Sequence, residues 1–171
     1  LYLPAFEAET GAYRRAIAAA ERAGCETKRL TRYGVIARDS GAYAVCLSPY
    51  SMGETDADEA SSVLYLQYGE FRALLCSDTT ASREEKLMNE YAIDETIFDR
   101  GNCTVRLPQL SLLRTARGGA AGASSEKWLC FLGAETGIVS CGRGEGSFSG
   151  EVAKRLHSAG TDVYRTDELG T

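Results

Sequence analysis

The chain reads as a mixed α/β fold in which antiparallel hairpins come first and αβαβ units follow, so that helices pack on a sheet. Three observations carry this reading. Between 26 and 76, short apolar runs are separated by turn residues. From 124 onward, helical and strand-like segments alternate. The composition, 171 residues with 44% hydrophobic and 25% charged, is that of one globular domain spanning 1–171.

Leu1-Tyr2-Leu3 before Pro4 reads as the end of a strand. Over 10–23 the period is helical, with Tyr13, Ile17 and Ala20 on one side and Gly24 as the stop. The spans 26–32, 34–38 and 42–47 predict short strands, parted by turns at Tyr33-Gly34 and Asp39-Ser40-Gly41. An acidic loop, 52–60, follows. The runs 62–68 and 71–76 meet at Gly69-Glu70, a two-residue hairpin connection. Ser82-Arg83-Glu84-Glu85 has the form of a capping box, which predicts a helix through about Tyr91 with Leu87 and Met88 on its apolar side. The stretch 97–108 reads as irregular and 110–115 as a strand. Ser124 or Ser125 caps a helix carrying Trp128, Leu129 and Leu132, and 136–141 is strand-like. Ser149 caps a helix with Val152, Leu156 and Ala159 at helical spacing, closed by Gly160, and 162–165 is a last strand. Both chain ends are expected to be cuts in a longer protein.

Charge and rare residues narrow the chemistry. Nineteen Lys and Arg against 24 Asp and Glu leave a net charge of −5, so the broad basic footprint of a protein that wraps nucleic acid is missing, while a local phosphate grip remains open. With one histidine, His157, a three-histidine zinc site cannot be built from this sequence. His157 sits late in a helix beside Lys154 and Arg155, where a cation suits the helix dipole. The six cysteines include no C-x-x-C pair, which excludes zinc ribbons and thioredoxin-like sites. Cys46, Cys76 and Cys141 fall in apolar runs and read as free core thiols, in keeping with a reducing compartment such as the cytoplasm. No apolar run reaches the ~20 residues that cross a bilayer, so no membrane contact by this segment is expected.

Four motifs invite a functional reading. Gly142-Arg143-Gly144-Glu145-Gly146 lies between a strand and a helix, where backbone N–H groups can hold a phosphate, although the spacing is not G-x-G-x-x-G. Arg117-Gly118-Gly119-Ala120-Ala121-Gly122 is a second such loop; most glycine-rich loops at strand-to-helix corners are merely tight turns. Asp56-Ala57-Asp58-Glu59 fails as a calcium loop, because the sixth and twelfth positions are Ser61 and Gln67, and reads as a solvated acidic loop. Asp78 ends an apolar strand, placed either to cap the next helix or to bridge metals.

Taken in order, several segments resemble the metallo-β-lactamase-fold domain of ComEC-type DNA-uptake (competence) proteins. They are Ser62-Val63-Leu64-Tyr65-Leu66-Gln67-Tyr68-Gly69, Phe71 to Asp78, Leu112 to Gly119, Ser124-Ser125-Glu126, Ile138-Val139-Ser140-Cys141-Gly142 and Ala159-Gly160-Thr161-Asp162-Val163-Tyr164-Arg165-Thr166-Asp167-Glu168-Leu169-Gly170. The resemblance is good over 61–170 and implies an αββα sandwich, represented mainly by its C-terminal half. It also implies zinc- or manganese-dependent phosphodiester hydrolysis linked to DNA uptake. Asp78 falls on the family's metal-bridging aspartate. The family's H-x-H-x-D-H motif is absent, its H-H-G histidines fall on Arg117 and Gly118, and its later H-P histidine has no counterpart. A two-metal site needs several His and Asp ligands. The expectation is therefore a degenerate, non-catalytic domain, with no cofactor in this chain and Asp78 as a relic ligand. Its role would be structural, or the binding of DNA or another phosphate-containing ligand through Arg117, Gly118, Gly119, Gly142, Arg143 and Gly144. The alternative is a metal-dependent hydrolase, nuclease-like, completed by an absent N-terminal segment. A missing N-terminal half or a homodimer would cover the remaining apolar strands, and the parent could be cytoplasmic or membrane-anchored.

Overall fold

The computed structural model describes residues 1–3, 6, 10–50, 56–92, 96–98, 103–144 and 148–170, with the side chains of 96–98 excepted. Pro4, residues 52–55 of the acidic loop, and Glu145 and Gly146 of the second glycine loop lie outside them. Leading the chain is a small β–α–β unit. Strand β1 (Tyr2–Leu3) pairs in parallel with β2 (Lys28–Arg29), and helix α1 (Gly11–Arg22) connects them. Thr10 caps α1 by accepting from the Tyr13 N–H. The expected strand over 26–32 thus shrinks to two residues.

A seven-stranded mixed sheet forms the body of the molecule. Strands β3 (Val35–Asp39), β4 (Ala42–Ser48), β5 (Val63–Tyr68) and β6 (Phe71–Cys76) run antiparallel as a meander. Then β9 (Leu112–Arg114), β10 (Thr136–Val139) and β11 (Asp162–Arg165) add in parallel beyond β6. This order, hairpins followed by αβαβ, is the α/β class expected from the alternating segments. The stretch read as irregular instead holds a two-stranded antiparallel ribbon, β7 (Thr96–Phe98) with β8 (Cys103–Val105). Three-residue strands carry too little period-two signal to stand out in a sequence.

Residues paired across strands share a face, so the register fixes what each face presents. One face bears Val45, Val63, Tyr65, Leu74, Cys76, Leu113 and Val139, all buried. Helices α2 (Ala81–Tyr91), α3 (Glu126–Leu132) and α4 (Gly150–Ser158) complete one core with them through Leu87, Tyr91, Trp128, Leu129, Leu132, Val152 and Leu156. The opposite face is apolar too, but less covered. Leu64, Leu66, Leu75, Leu112 and Ile138 are half-buried there, and Tyr68, Phe71 and Tyr164 are 64%, 49% and 52% exposed.

The caps differ in part from the sequence expectation. The α2 cap is Thr80, whose Oγ1 accepts from the Arg83 N–H at 3.2 Å, so neither Ser82 nor Asp78 is the cap. Glu84 turns away from its own helix end to accept from the Ser124 and Ser125 N–H groups at 2.6 and 3.0 Å. It therefore ties α2 to the start of α3, where Ser125 is the cap. Ser149 caps α4 as expected. Strand β10 ends at Val139, so Cys141 lies in the following loop and is half-buried, not a core thiol; Cys46 and Cys76 are buried. All six cysteines are free. Among the described residues no helix is long and apolar enough to cross a membrane.

Candidate functional site

Strands β6, β9, β10 and β11 all point the same way, so their carboxyl ends line one edge of the sheet. In α/β sheets this is the edge where ligands gather, because loops and helix starts converge there. It collects Ser77 and Asp78 after β6, the turn at Ala116–Gly119 after β9, Ser140 to Gly144 after β10, and Thr166 and Asp167 after β11. Asp78, Arg117, Gly118, Gly119, Gly142, Arg143 and Gly144 all fall on this edge.

The turn after β9 is a short 3-10 segment whose backbone turns left-handed at Arg117 (φ 52°), Gly118 (φ 59°) and Gly119 (φ 77°). The glycines meet a steric demand. A Cβ on Gly118 would lie 2.9 Å from the Ser140 carbonyl oxygen, and one on Gly119 would lie 2.5 Å from the Phe148 ring. Arg117 has no such relief, so a non-glycine residue is held in a sparsely populated conformation beside Asp78. Its N–H donates to the Ser77 carbonyl at 2.8 Å, which docks the turn on the end of β6. The Arg117 guanidinium donates to the Asp58 carboxylate, an ion pair across the mouth of this edge.

Asp58 comes from the part of the acidic loop that is described, and that part is anchored. Asp56 accepts from the Asp58 and Glu59 N–H groups at 2.8 and 3.1 Å. Glu59 accepts from the Thr80 hydroxyl at 2.6 Å, and its carboxylate and carbonyl both take the Arg83 guanidinium, at 3.0 and 2.8 Å. Arg83, 2% exposed, lies over the Tyr50 ring at 4.5 Å, and Arg32 lies over the same ring at 3.9 Å. Glu90 accepts from Arg32, Tyr33 and Tyr50. Burial raises the Glu90 pKa, but the hydrogen bonds from Tyr33, Tyr50 and Arg32 outweigh it and hold the carboxyl below its ordinary value. Burial, with Glu90 beside it, pushes the Tyr33 hydroxyl up to about 12.

At the other end of the edge the arginines are engaged in a second network. Arg165 makes a two-pronged pair with Asp167, at 3.1 and 2.6 Å, and stacks over Phe148 at 4.5 Å. The Cys141 thiol donates to Asp167 at 3.2 Å, and its pKa is raised by burial and by that carboxylate. Arg143 donates to the Asp167 carbonyl at 3.2 Å. Arg114 donates to the Cys76 carbonyl at 2.6 Å and to the Ser140 hydroxyl at 3.3 Å. Thr166 bridges Cys141 from both sides, accepting from its N–H and donating to its carbonyl. The segment Arg165-Thr166-Asp167 thus fastens the loop after β10, with Gly142 exposed at its start and Gly144 (φ 148°) two residues on.

Asp78 is exposed at the end of β6, and among the described residues no hydrogen bond or ion pair engages its carboxylate. Zinc or manganese pairs, the two ions ~3.5–4 Å apart, need several anionic or imidazole donors. The donor set here does not fit them. Arg117 and Gly118 offer no metal-binding atom, Arg117 brings a cation, and among the described residues no group of three or more His, Cys, Asp or Glu could hold a metal. His157 is exposed in the last turn of α4, away from this edge. The Asp58–Arg117 pair and the Glu84 cap were not legible beforehand: both join residues at least 40 positions apart, and neither leaves a local pattern. No protein-family model matches the sequence, and no curated protein is significantly similar to it.

Proposed function

We propose that this chain is a metallo-β-lactamase-like domain, mainly the C-terminal half of an αββα sandwich, that has lost catalysis and binds a phosphate-bearing ligand such as DNA at the carboxyl ends of β6 and β9. The observation that carries the reading is Arg117. Its backbone N–H docks on Ser77, the residue before Asp78, where the family would hold a metal, and its guanidinium pairs with Asp58 at the same edge; a cation there favours an anion while offering no activated water. Gly118 and Gly119 let the chain pass close to Ser140 and Phe148, and Arg114 and Arg143, which donate to backbone carbonyls, add positive charge along the same edge, while Arg165 is paired with Asp167 and Glu168. The test is titration with inorganic phosphate and with a short single-stranded deoxyoligonucleotide, followed by calorimetry. Arg117→Ala is expected to weaken both by about tenfold, the size of one charge-assisted contact. Unchanged affinity would remove the reading.

The second reading is a metal-dependent phosphodiesterase completed by a preceding segment that carries H-x-H-x-D-H. Two observations favour it: the unengaged carboxylate of Asp78, and the half-covered apolar sheet face, which is suited to a second sheet. Near-stoichiometric zinc or manganese, with phosphodiesterase activity, in a protein that includes such a segment would select it.

A further inference from the structure

We propose that the Asp58 side chain is a built-in stand-in for the anionic ligand of Arg117 and occupies the site until a phosphate displaces it. The inference rests on the reading of Arg117 as an anion site and adds its regulation. A carboxylate and a phosphate compete for the same planar fork of a guanidinium, since both accept its N–H groups in pairs. Asp58 now takes the Nη2 end of that fork through one carboxylate oxygen.

The pair differs from an ordinary surface contact because one partner is presented by a fixed platform. Asp56 closes the turn beneath it through the Asp58 and Glu59 N–H groups. The Ser61 N–H donates to the Asp58 carbonyl at 3.1 Å, and Ala60, inside that turn, is 1% exposed. Glu59 pins the base to Thr80 and to buried Arg83. None of these contacts uses the Asp58 carboxylate. That side chain can therefore swing off Arg117, or be replaced, while the loop keeps its place. The Arg117 backbone is fixed as well, by its bond to Ser77 and by the packed glycines after it. Both side chains remain open to solvent, Arg117 at 32% and Asp58 at 45%, so an incoming phosphate has access to the contact it must replace.

The experiment compares inorganic phosphate affinity among wild type, Asp58→Asn, Asp78→Asn, Arg117→Ala and the Asp58→Asn/Arg117→Ala double variant, each first checked for an unchanged melting profile. An exposed ion pair lowers the affinity of a competing ligand by about two- to fivefold. Asp58→Asn is expected to tighten phosphate by that factor, with no gain from the same substitution in the Arg117→Ala background. Asp78→Asn, which removes a charge but no ion pair, is expected to gain less. If Arg117→Ala weakens binding but Asp58→Asn changes nothing, the anion site stands and the built-in ligand is refuted. An equal gain from Asp78→Asn, or a gain that persists without Arg117, reduces the effect to general charge relief and also refutes it. If Arg117→Ala leaves phosphate affinity untouched, the anion site itself fails, and the built-in ligand with it.

Discussion

Helix α2 carries two carboxylates whose environments push them in opposite directions. Glu84 is fully buried; desolvation raises its pKa, and the Ser124 and Ser125 N–H groups offset part of that rise. Glu90 is held low by the hydrogen bonds of Tyr33, Tyr50 and Arg32 against the opposing effect of burial. Linkage fixes the signs. The Glu84 contribution is greatest below the ordinary glutamate pKa of about 4.3 and is lost as pH rises through its raised native value. The Glu90 contribution is present above about 4.3 and is lost as pH falls through its lowered native value. Melting temperatures measured from pH ~2 to ~7 are therefore expected to show Glu84→Gln closing on the wild type as pH rises, because the wild type sheds its low-pH advantage. Glu90→Gln is expected to close on it as pH falls. Parallel curves for either variant would contradict the assignment. In the sequence, Glu84 could be read only as half of a capping box, because its partners lie 40 and 41 residues away. Spacing rules see the helix that contains a residue, not the helix it reaches.

Among the elements, those with several periods of pattern were legible and the short ones were not. Helices α3 and α4 announce themselves through Ser125 and Ser149, followed by apolar residues at helical spacing. The β5–β6 hairpin shows two six-residue apolar runs joined at Gly69-Glu70. The β7–β8 ribbon and the two-residue β1 and β2 offer no such pattern and depend on tertiary pairing. The turn after β9 was visible as Gly118-Gly119, but a glycine pair does not tell a phosphate cradle from a close approach of chain segments. The structure supplies the close approach. Gly119→Ala would place a methyl 2.5 Å from Phe148 and 3.0 Å from Val139 at a positive φ. It is expected to cost about 2–4 kcal/mol by urea denaturation, combining strain with overpacking. At Gly142 an added Cβ meets nothing within 4 Å, so Gly142→Ala is expected to stay within about 0.5 kcal/mol of the wild type. Equal stability of the two variants would show that the left-handed turn is not packed as described.

For the whole molecule, the question is what an uneven sheet does in water. Helices α2, α3 and α4, with β8 and the segment after it, cover one face, while the other leaves a band of Leu64, Leu66, Leu75 and Leu112 half-buried, with Ile138 beyond Arg114. Tyr68 and Phe71 stand side by side at its end, paired across the β5–β6 hairpin. Nothing in a local reading separates this face from the buried one, because both alternate apolar residues along the same strands; only the count of helices against strands hints that one side lacks cover. Monomeric proteins rarely leave contiguous apolar patches beyond a few hundred Å² bare, since each Å² kept in water forgoes about 25 cal/mol. The 171-residue chain is therefore expected to self-associate through this band. Sedimentation velocity over a hundredfold range of concentration would show a weight-average mass that climbs with concentration. The paired substitutions Tyr68→Ser and Phe71→Ser should return it toward the monomer value of 18.4 kDa. Both aromatics are exposed, so their loss removes little core packing and the variant should keep its melting temperature within a few degrees. A wild-type chain that stays monomeric throughout that range would mean that the band is tolerated in water and needs no second surface to cover it.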